Sequence, residues 1–453
     1  MSAAAQVRYD RELMASNEIL WPIVERHLEE ADFLAESRRD ALDQPDYTLA
    51  ELAEGLDARL SAHLDGLAIA GPAVLPRLCW PALEEEEELE QGLAAAAGLT
   101  ILDRGTEEDC AHLLEILGES EADDERWIGL VDALTLASRE GLDTWMLAQL
   151  SRRAAVGETG GPCVAGLLAA SVERRTQLGA GLDPFLGSED PAVLRAAATL
   201  ARYGSAAQLE HAAGLGRHDS PEVVAAALES AVVRGLQGAW EVVRYWAFEA
   251  PECGFRARAL TWLALGDEHG DHTRLGGLLA DPQTRADGLW ALGFCGWATA
   301  VDAVLPHLDD PEQGQLAGEV MTAIAGMPTD EDPLWRDPVV DEAAQEEEGL
   351  PEFEADTLDE DLREDPREAL LHPEPEAAAA WWAQRRSTLD VGARMIAGQA
   401  WTEDSLERAM REQPLRRRHT LAVLLAMRSG GARWPSTRGW AAQQLAALGS
   451  TTS

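Results

Sequence analysis

Two stretches of this chain carry residue types that do chemistry. In GDEHGDH, residues 266–272, Asp267, Glu268, His269, Asp271 and His272 offer carboxylate and imidazole ligands of the kind that hold zinc or calcium. In LRRRH, residues 415–419, Arg416, Arg417 and Arg418 place three guanidinium groups on the early turns of a helix opened by Pro414. Such a cluster suits either an internal ion-pair network or the docking of an acidic peptide. The first stretch reads as a polar loop between helices. Its histidines lack the i,i+4 spacing with which a helix presents a zinc pair, so no metal is expected. For the arginines, pairing with the chain's own acidic segment is expected ahead of docking. A third set, His218, Asp219 and Ser220, has the residue types of a hydrolytic triad. Adjacent residues cannot converge as that mechanism requires, and neither a GxSxG elbow nor a GxGxxG loop after a strand occurs.

Composition narrows the choices. All 37 basic residues are arginine and there is no lysine. A P-loop lysine, a kinase strand lysine and a Schiff-base lysine are therefore excluded. The 81 acids leave a net charge of −44, opposite in sign to the basic footprint of a nucleic-acid binder and unsuited to an anionic membrane. A protein partner with a basic face fits this charge. The cysteines Cys79, Cys110, Cys163, Cys253 and Cys295 form no CxxC pair and read as small buried apolar residues. The start of the chain shows no apolar signal core, and LAAAAGLTIL at 93–102 is too short to span a bilayer, so a cytoplasmic protein is expected.

The elements that must position any site come from a repeat. Pro162, Pro191, Pro221, Pro251, Pro282 and Pro311 follow one another at intervals of 29, 30, 30, 31 and 29 residues. Asp190, Ser220, Asp281 and Asp310 precede their prolines, as a helix N-cap precedes a proline at the first helical position. Gly161 and Ala250 are the two departures. An apolar run follows each proline and closes at Gly204, Gly235, Gly266, Gly293 or Gly326, where a left-handed residue can end a helix. A second helical run lies between copies, as in GAWEVVRYWAFE, TRLGGLLA and ATAVDAVLPHLD. Two helices in about 30 residues predict an all-α HEAT-like α-solenoid. The stretch LPHLDDPEQGQLAGEVMTAIAG, 305–326, is its sixth copy, with DDP as the inter-helix turn. Leu316, Val320, Ala323 and Ile324 share the apolar face there, and Glu319 sits on its flank, either solvated or open to a basic partner.

Four regions follow. Residues 1–106 form an N-terminal helical cap that contains a capping box, Thr48 with Glu51, and an acidic run at 84–90 read as solvated. Residues 107–326 form the repeat array. Residues 327–376 hold 20 acids against three arginines and predict a mobile acidic linker. Residues 377–453 return to helix, with Trp381 and Trp382 pointing apart so that at least one is core.

The stretches ILWPIVERHLEEADFL, YTLAELAEGLDARLSAHLDGLAIAG, LWALGFCG, QLAGEVMTAIAG, WWAQRR and RRRH together resemble a bacterial family of HEAT-like repeat proteins of uncharacterised function. Its genes are often found near type VI secretion components. The resemblance runs from about residue 18 onward, with the acidic segment as the variable part. It implies an accessory or adaptor role, such as holding an effector or spike component before export, and brings no catalytic residues and no cofactor.

The chain is accordingly expected to be a non-catalytic interaction scaffold. Its binding surface would be the concave helices of 160–326, with Glu319 and the anchors Trp240, Trp246, Trp262, Trp290 and Trp297. The alternative is an enzyme of the bilin-lyase type or a solenoid that binds a small ligand.

Overall fold

The computed structural model describes residues 19–84, 89–250, 252–331, 333–337, 366–367, 369–390 and 392–449. The N-terminal stretch 1–18, the glutamates 85–88, Pro251 and the centre of the acidic segment, 338–365, lie outside the described residues, and so do the expectations placed on them. The described chain is mostly helical.

Helix α1 (Trp21–Ala41) takes Pro22 in its first turn, where a missing N–H costs nothing. The short α2 (Leu49–Leu52) opens with the expected capping box. The Thr48 amide donates to Glu51 Oε2 at 2.8 Å, and the Glu51 amide donates to Thr48 Oγ1 at 3.3 Å. There follow α3 (Ala58–Ile69), α4 (Trp80–Glu84), α5 (Gln91–Arg104), α6 (Glu107–Glu119), α7 (Glu125–Leu136), α8 (Leu142–Ala155) and α9 (Pro162–Arg174). After the single turn α10 (Asp183–Leu186), first and second helices of successive copies alternate. They are α11 (Pro191–Leu200), α12 (Ala206–Gly214), α13 (Pro221–Val233), α14 (Ala239–Arg244), α15 (Arg256–Leu265), α16 (His269–Gly277), α17 (Pro282–Leu292), α18 (Ala298–Val304) and α19 (Gly314–Ala325).

The repeat prolines open α9, α11, α13 and α17. Asp190 Oδ1 accepts from the Ala192 amide at 2.9 Å, Ser220 Oγ from the Val223 amide at 3.4 Å, and Asp281 Oδ1 from the Gln283 amide at 3.0 Å. Asp310 Oδ1 accepts from the amides of Glu312 and Gln313, and α19 begins only at Gly314, so DDP is the inter-helix turn. The closing glycines do two different jobs. Gly235 and Gly326 are left-handed, at φ 64° and 73°. Gly293 is not, at φ −56°; a Cβ there would come within 3.2 Å of the Arg417 guanidinium, so close approach rather than conformation calls for glycine.

After α19, the strands β1 (Trp335–Arg336) and β2 (His372–Pro373) pair antiparallel, with Trp335 opposite Pro373. Then come α20 (Pro375–Arg386), a hairpin of β3 (Met395–Ile396) and β4 (Gln399–Ala400), α21 (Glu403–Glu412), α22 (Leu415–Arg428) and α23 (Ala441–Gly449). The described ends of the acidic segment are not the loose linker expected. Met327, Leu334 and Leu370 are buried, because these apolar residues among the acids find a core.

The chain divides into two compact units. The first takes in the described residues of Met1–Arg39, Ala53–Thr176 and Ser188–Val193. Within it α5 packs on α7, and α9 packs on both α6 and α7; Arg38 of α1 and Asp57, just before α3, form a buried ion pair of 2.7 Å. The second takes in the described residues of Asp40–Leu52, Gln177–Gly187 and Leu194–Ser453. Within it α13, α15, α17 and α19 neighbour one another in turn, and α12, α16 and α18 pair with α13, α17 and α19. The C-terminal helices belong to this same unit. Helix α22 lies on α13 and α21, and α2 packs against α21 and α23.

Candidate functional site

The arginine run of α22 is interior. Arg417 and Arg418 are 3% and 1% exposed. Arg417 Nη1 lies 3.4 Å and Arg416 Nε 3.7 Å from Glu319 Oε1, and the Glu319 side chain is only 9% exposed. Arg417 also donates to the carbonyl of Gly293 at 2.7 Å and to Gln413 Oε1 at 3.2 Å. Burial and the neighbouring Arg416 push its guanidinium below the usual range, and Glu319 opposes them. Arg418 donates to the Met410 carbonyl at 3.0 Å and to Gln444 Oε1 at 2.5 Å. These contacts correct two expectations. Among the described residues, Arg416 and Arg417 pair with Glu319 of the sixth repeat rather than with the acidic segment, and Arg417 and Arg418 are too buried to offer a surface to an acidic peptide. Glu319 is neither solvated nor open to a basic partner, because the two arginines neutralise it.

One turn further along α22, His419 Nε2 lies 3.6 Å from Oε2 of Glu229, which sits in α13. Arg258 donates to the same oxygen at 3.1 Å, and Arg202 to Glu229 Oε1 at 3.4 Å. Arg202 also stacks 3.5 Å over the Trp434 ring. Burial drives the Glu229 carboxyl up. His419, Arg258 and Arg202 outweigh it and hold the group well below the usual carboxylate range.

The candidate tryptophan anchors scatter. Trp262 is buried against Phe255, and Trp246 packs between Tyr245 and Phe255. Trp290 receives Arg416 at 4.7 Å and Phe294 at 4.9 Å, so its exposed-anchor role is taken by the chain itself. Trp297 packs between His269 and His272 with its indole N–H buried. Trp240 lines a cleft of about 650 Å³ shared with Arg244, Asp267 and Arg428.

His269 and His272 prove to be helical, in the first turns of α16, rather than in a loop. Their acidic neighbours are committed elsewhere: Asp271 to Arg244 and Asp267 to Arg394. Among the described residues, the ligand-type atoms that converge belong to Asp32, Glu36 and Glu90, and Asp32 and Glu36 have other partners. Ser220 is a cap, with the His218 ring accepting its backbone amide. Burial pushes the thiols of Cys79, Cys163 and Cys295 up to about 12, 11 and 11, so they stay protonated and unreactive at neutral pH.

The second unit holds an open cleft of about 710 Å³. It is bordered by the loop before α2, the end of α19, the strand ends around Trp335 and Leu370, the β3–β4 hairpin and α21. Five carboxylates line it, those of Asp46, Glu51, Glu319, Asp330 and Glu412, against the single guanidinium of Arg408. With Glu319 neutralised at the floor, the negative charge belongs to the four exposed rim acids. Apolar side chains fill the spaces between, including Leu371 at 44% exposed.

Sequence reasoning missed this cleft because its walls are more than 350 residues apart in the chain, from Pro45 to Pro414. It also missed Arg394, which donates to the carbonyls of Ala264, Leu265, Gly266 and Cys295 and stacks 3.4 Å over Trp401. No local signal marks that arginine apart from its neighbours. No family model, curated protein or solved structure matches the chain.

Proposed function

We propose that this chain is a HEAT-like α-solenoid that acts as an interaction scaffold or adaptor for a protein partner with a basic face. The observation that carries the proposal is the separation of charge. At the cleft of the second unit, Arg417 is buried against Glu319 and Arg408 is the one guanidinium among the lining residues, while the acids Asp46, Glu51, Asp330 and Glu412 of the rim stay exposed. A surface so charged attracts basic partners and repels nucleic acid and anionic lipid. The stacking of α13, α15, α17 and α19, each the first helix of its copy, supports the solenoid. The family resemblance adds an accessory role near type VI secretion, with an effector or spike component as the cargo.

The enzymatic alternative draws less support. The raised thiols of Cys79, Cys163 and Cys295 are poor nucleophiles, and the Cys253 thiol is also raised by burial. Mild cross-linking in the native host, followed by purification and mass spectrometry, tests the proposal. Enrichment of a discrete protein with a basic face is expected. Recovery of the chain alone, or with a bound small molecule, would overturn it in favour of a ligand-binding or enzymatic solenoid.

A further inference from the structure

The scaffold proposal leaves open where the partner docks and what segment it offers. We infer that the 710 Å³ cleft of the second unit takes a short amphipathic basic segment of a protein partner, with apolar side chains inside and arginine or lysine at both margins. This rests on the scaffold reading above and narrows it.

Two independent features of the cleft point to this ligand. The first is charge: Asp46, Glu51, Asp330 and Glu412 are exposed on the rim, and Arg408 is the one basic group among the lining residues. Arg408 Nη1 is already donated to Gln399 Oε1 at 2.8 Å. The second is an apolar interior. Met327, Trp335, Leu370, Leu371 and Ile396 line the space, and Leu371 exposes 44% of a large apolar side chain. A purely cationic ligand leaves that interior wet, and a purely apolar one leaves the rim charges uncompensated. An apolar centre flanked by cations satisfies both. The floor is held rigid for such a guest. Glu319 is fastened by Arg416 and Arg417, and the Trp335 indole donates to the Pro328 carbonyl at 2.6 Å.

The probe is a fluorescein-labelled peptide, Arg-Arg-Leu-Trp-Leu-Arg-Arg, titrated with the full chain and read by fluorescence anisotropy. Hexa-arginine and Glu-Glu-Leu-Trp-Leu-Glu-Glu serve as controls. The expected result is saturable binding of the first peptide, weakened by added salt, with weaker binding of hexa-arginine and none of the acidic peptide. Two variants alter only exposed side chains, so they fold: Asp46→Asn with Asp330→Asn and Glu412→Gln, and Leu371→Asp. Each is expected to weaken the first peptide about tenfold, a difference of about 1.4 kcal/mol. Equal binding of hexa-arginine, or affinity unchanged by both variants, would overturn the cleft assignment. The cross-linking experiment repeated with the rim variant separates the two proposals. A basic partner recovered in undiminished yield leaves the scaffold standing and removes the cleft. Peptide binding at the cleft without any cross-linked partner does the reverse.

Discussion

Helices α13 and α19 carry glutamates at the same place in their copies, eight residues after the repeat proline (229 − 221 = 8; 319 − 311 = 8). Both reach α22, yet they are held differently. Glu229 is enclosed by Arg202, Arg258 and His419, and both of its oxygens accept hydrogen bonds from arginine. Glu319 faces two arginines at 3.4 and 3.7 Å, and its Oε1 accepts no hydrogen bond. One position in the repeat thus serves two ends. At α13 the carboxylate is the hub of a hydrogen-bonded cluster, and at α19 it anchors the floor of a cleft by charge alone. An ion pair with hydrogen bonds recovers the desolvation cost of its groups better than one without.

The largest effect should follow from removing the hub. Glu229→Ala leaves Arg202 buried without its carboxylate and should cost about 3–5 kcal/mol in urea denaturation followed by tryptophan fluorescence. Glu319→Ala should cost less, about 1–3 kcal/mol, since Arg417 keeps Gly293 and Gln413. Equal losses would break the comparison.

Acid should expose the same difference. The folded Glu229 carboxyl titrates below its ordinary value of 4.5, so the stability it contributes is complete above that pH and is lost as pH falls through the folded value. Glu229→Gln should therefore flatten the acid limb of the stability profile. An unchanged slope below pH 4.5 would remove the cluster from the acid response.

Pairing across α19 and α22 can be isolated by a cycle. Glu319→Gln combined with Arg417→Met should destabilise less than the sum of the single changes, by about 1–2 kcal/mol. Strict additivity would mean that the two charges do not sense each other. A smaller loss, about 1 kcal/mol, is expected for Asp281→Ala, which removes only the cap of α17. The smallest effect is chemical. Iodoacetamide at neutral pH should modify the half-buried Cys253 first, with Cys79, Cys110, Cys163 and Cys295 labelled only after unfolding. Mass spectrometry that finds Cys295 alkylated in the native chain would contradict its burial.

Much of the helical frame was legible. The capping box at Thr48 and Glu51, the caps at Asp190, Ser220 and Asp281, and the buried stripe Leu316, Val320, Ala323 and Ile324 all follow from neighbours within one or two turns. The candidate site was less so. The polar stretch after Gly266 reads as a loop, whereas α16 begins at His269 and takes both His269 and His272 into its first turns. Arg416, Arg417 and Arg418 stand out as a cluster in the sequence, but the partner of Arg416 and Arg417 does not, since Glu319 is about a hundred residues away in the chain.

The amino-acid sequence by itself determined the helical class, the proline-capped periodicity and the acidic charge. Capping, turn formation and net charge depend on nearest neighbours or on simple sums. Only the tertiary structure decided which charges are spent inside. Whether Glu319 meets solvent or two guanidinium groups depends on where α22 lands, and that placement is set by burial of apolar surface among helices distant in sequence. The exposed rim of the cleft is the remainder of that internal pairing, and no local pattern encodes it.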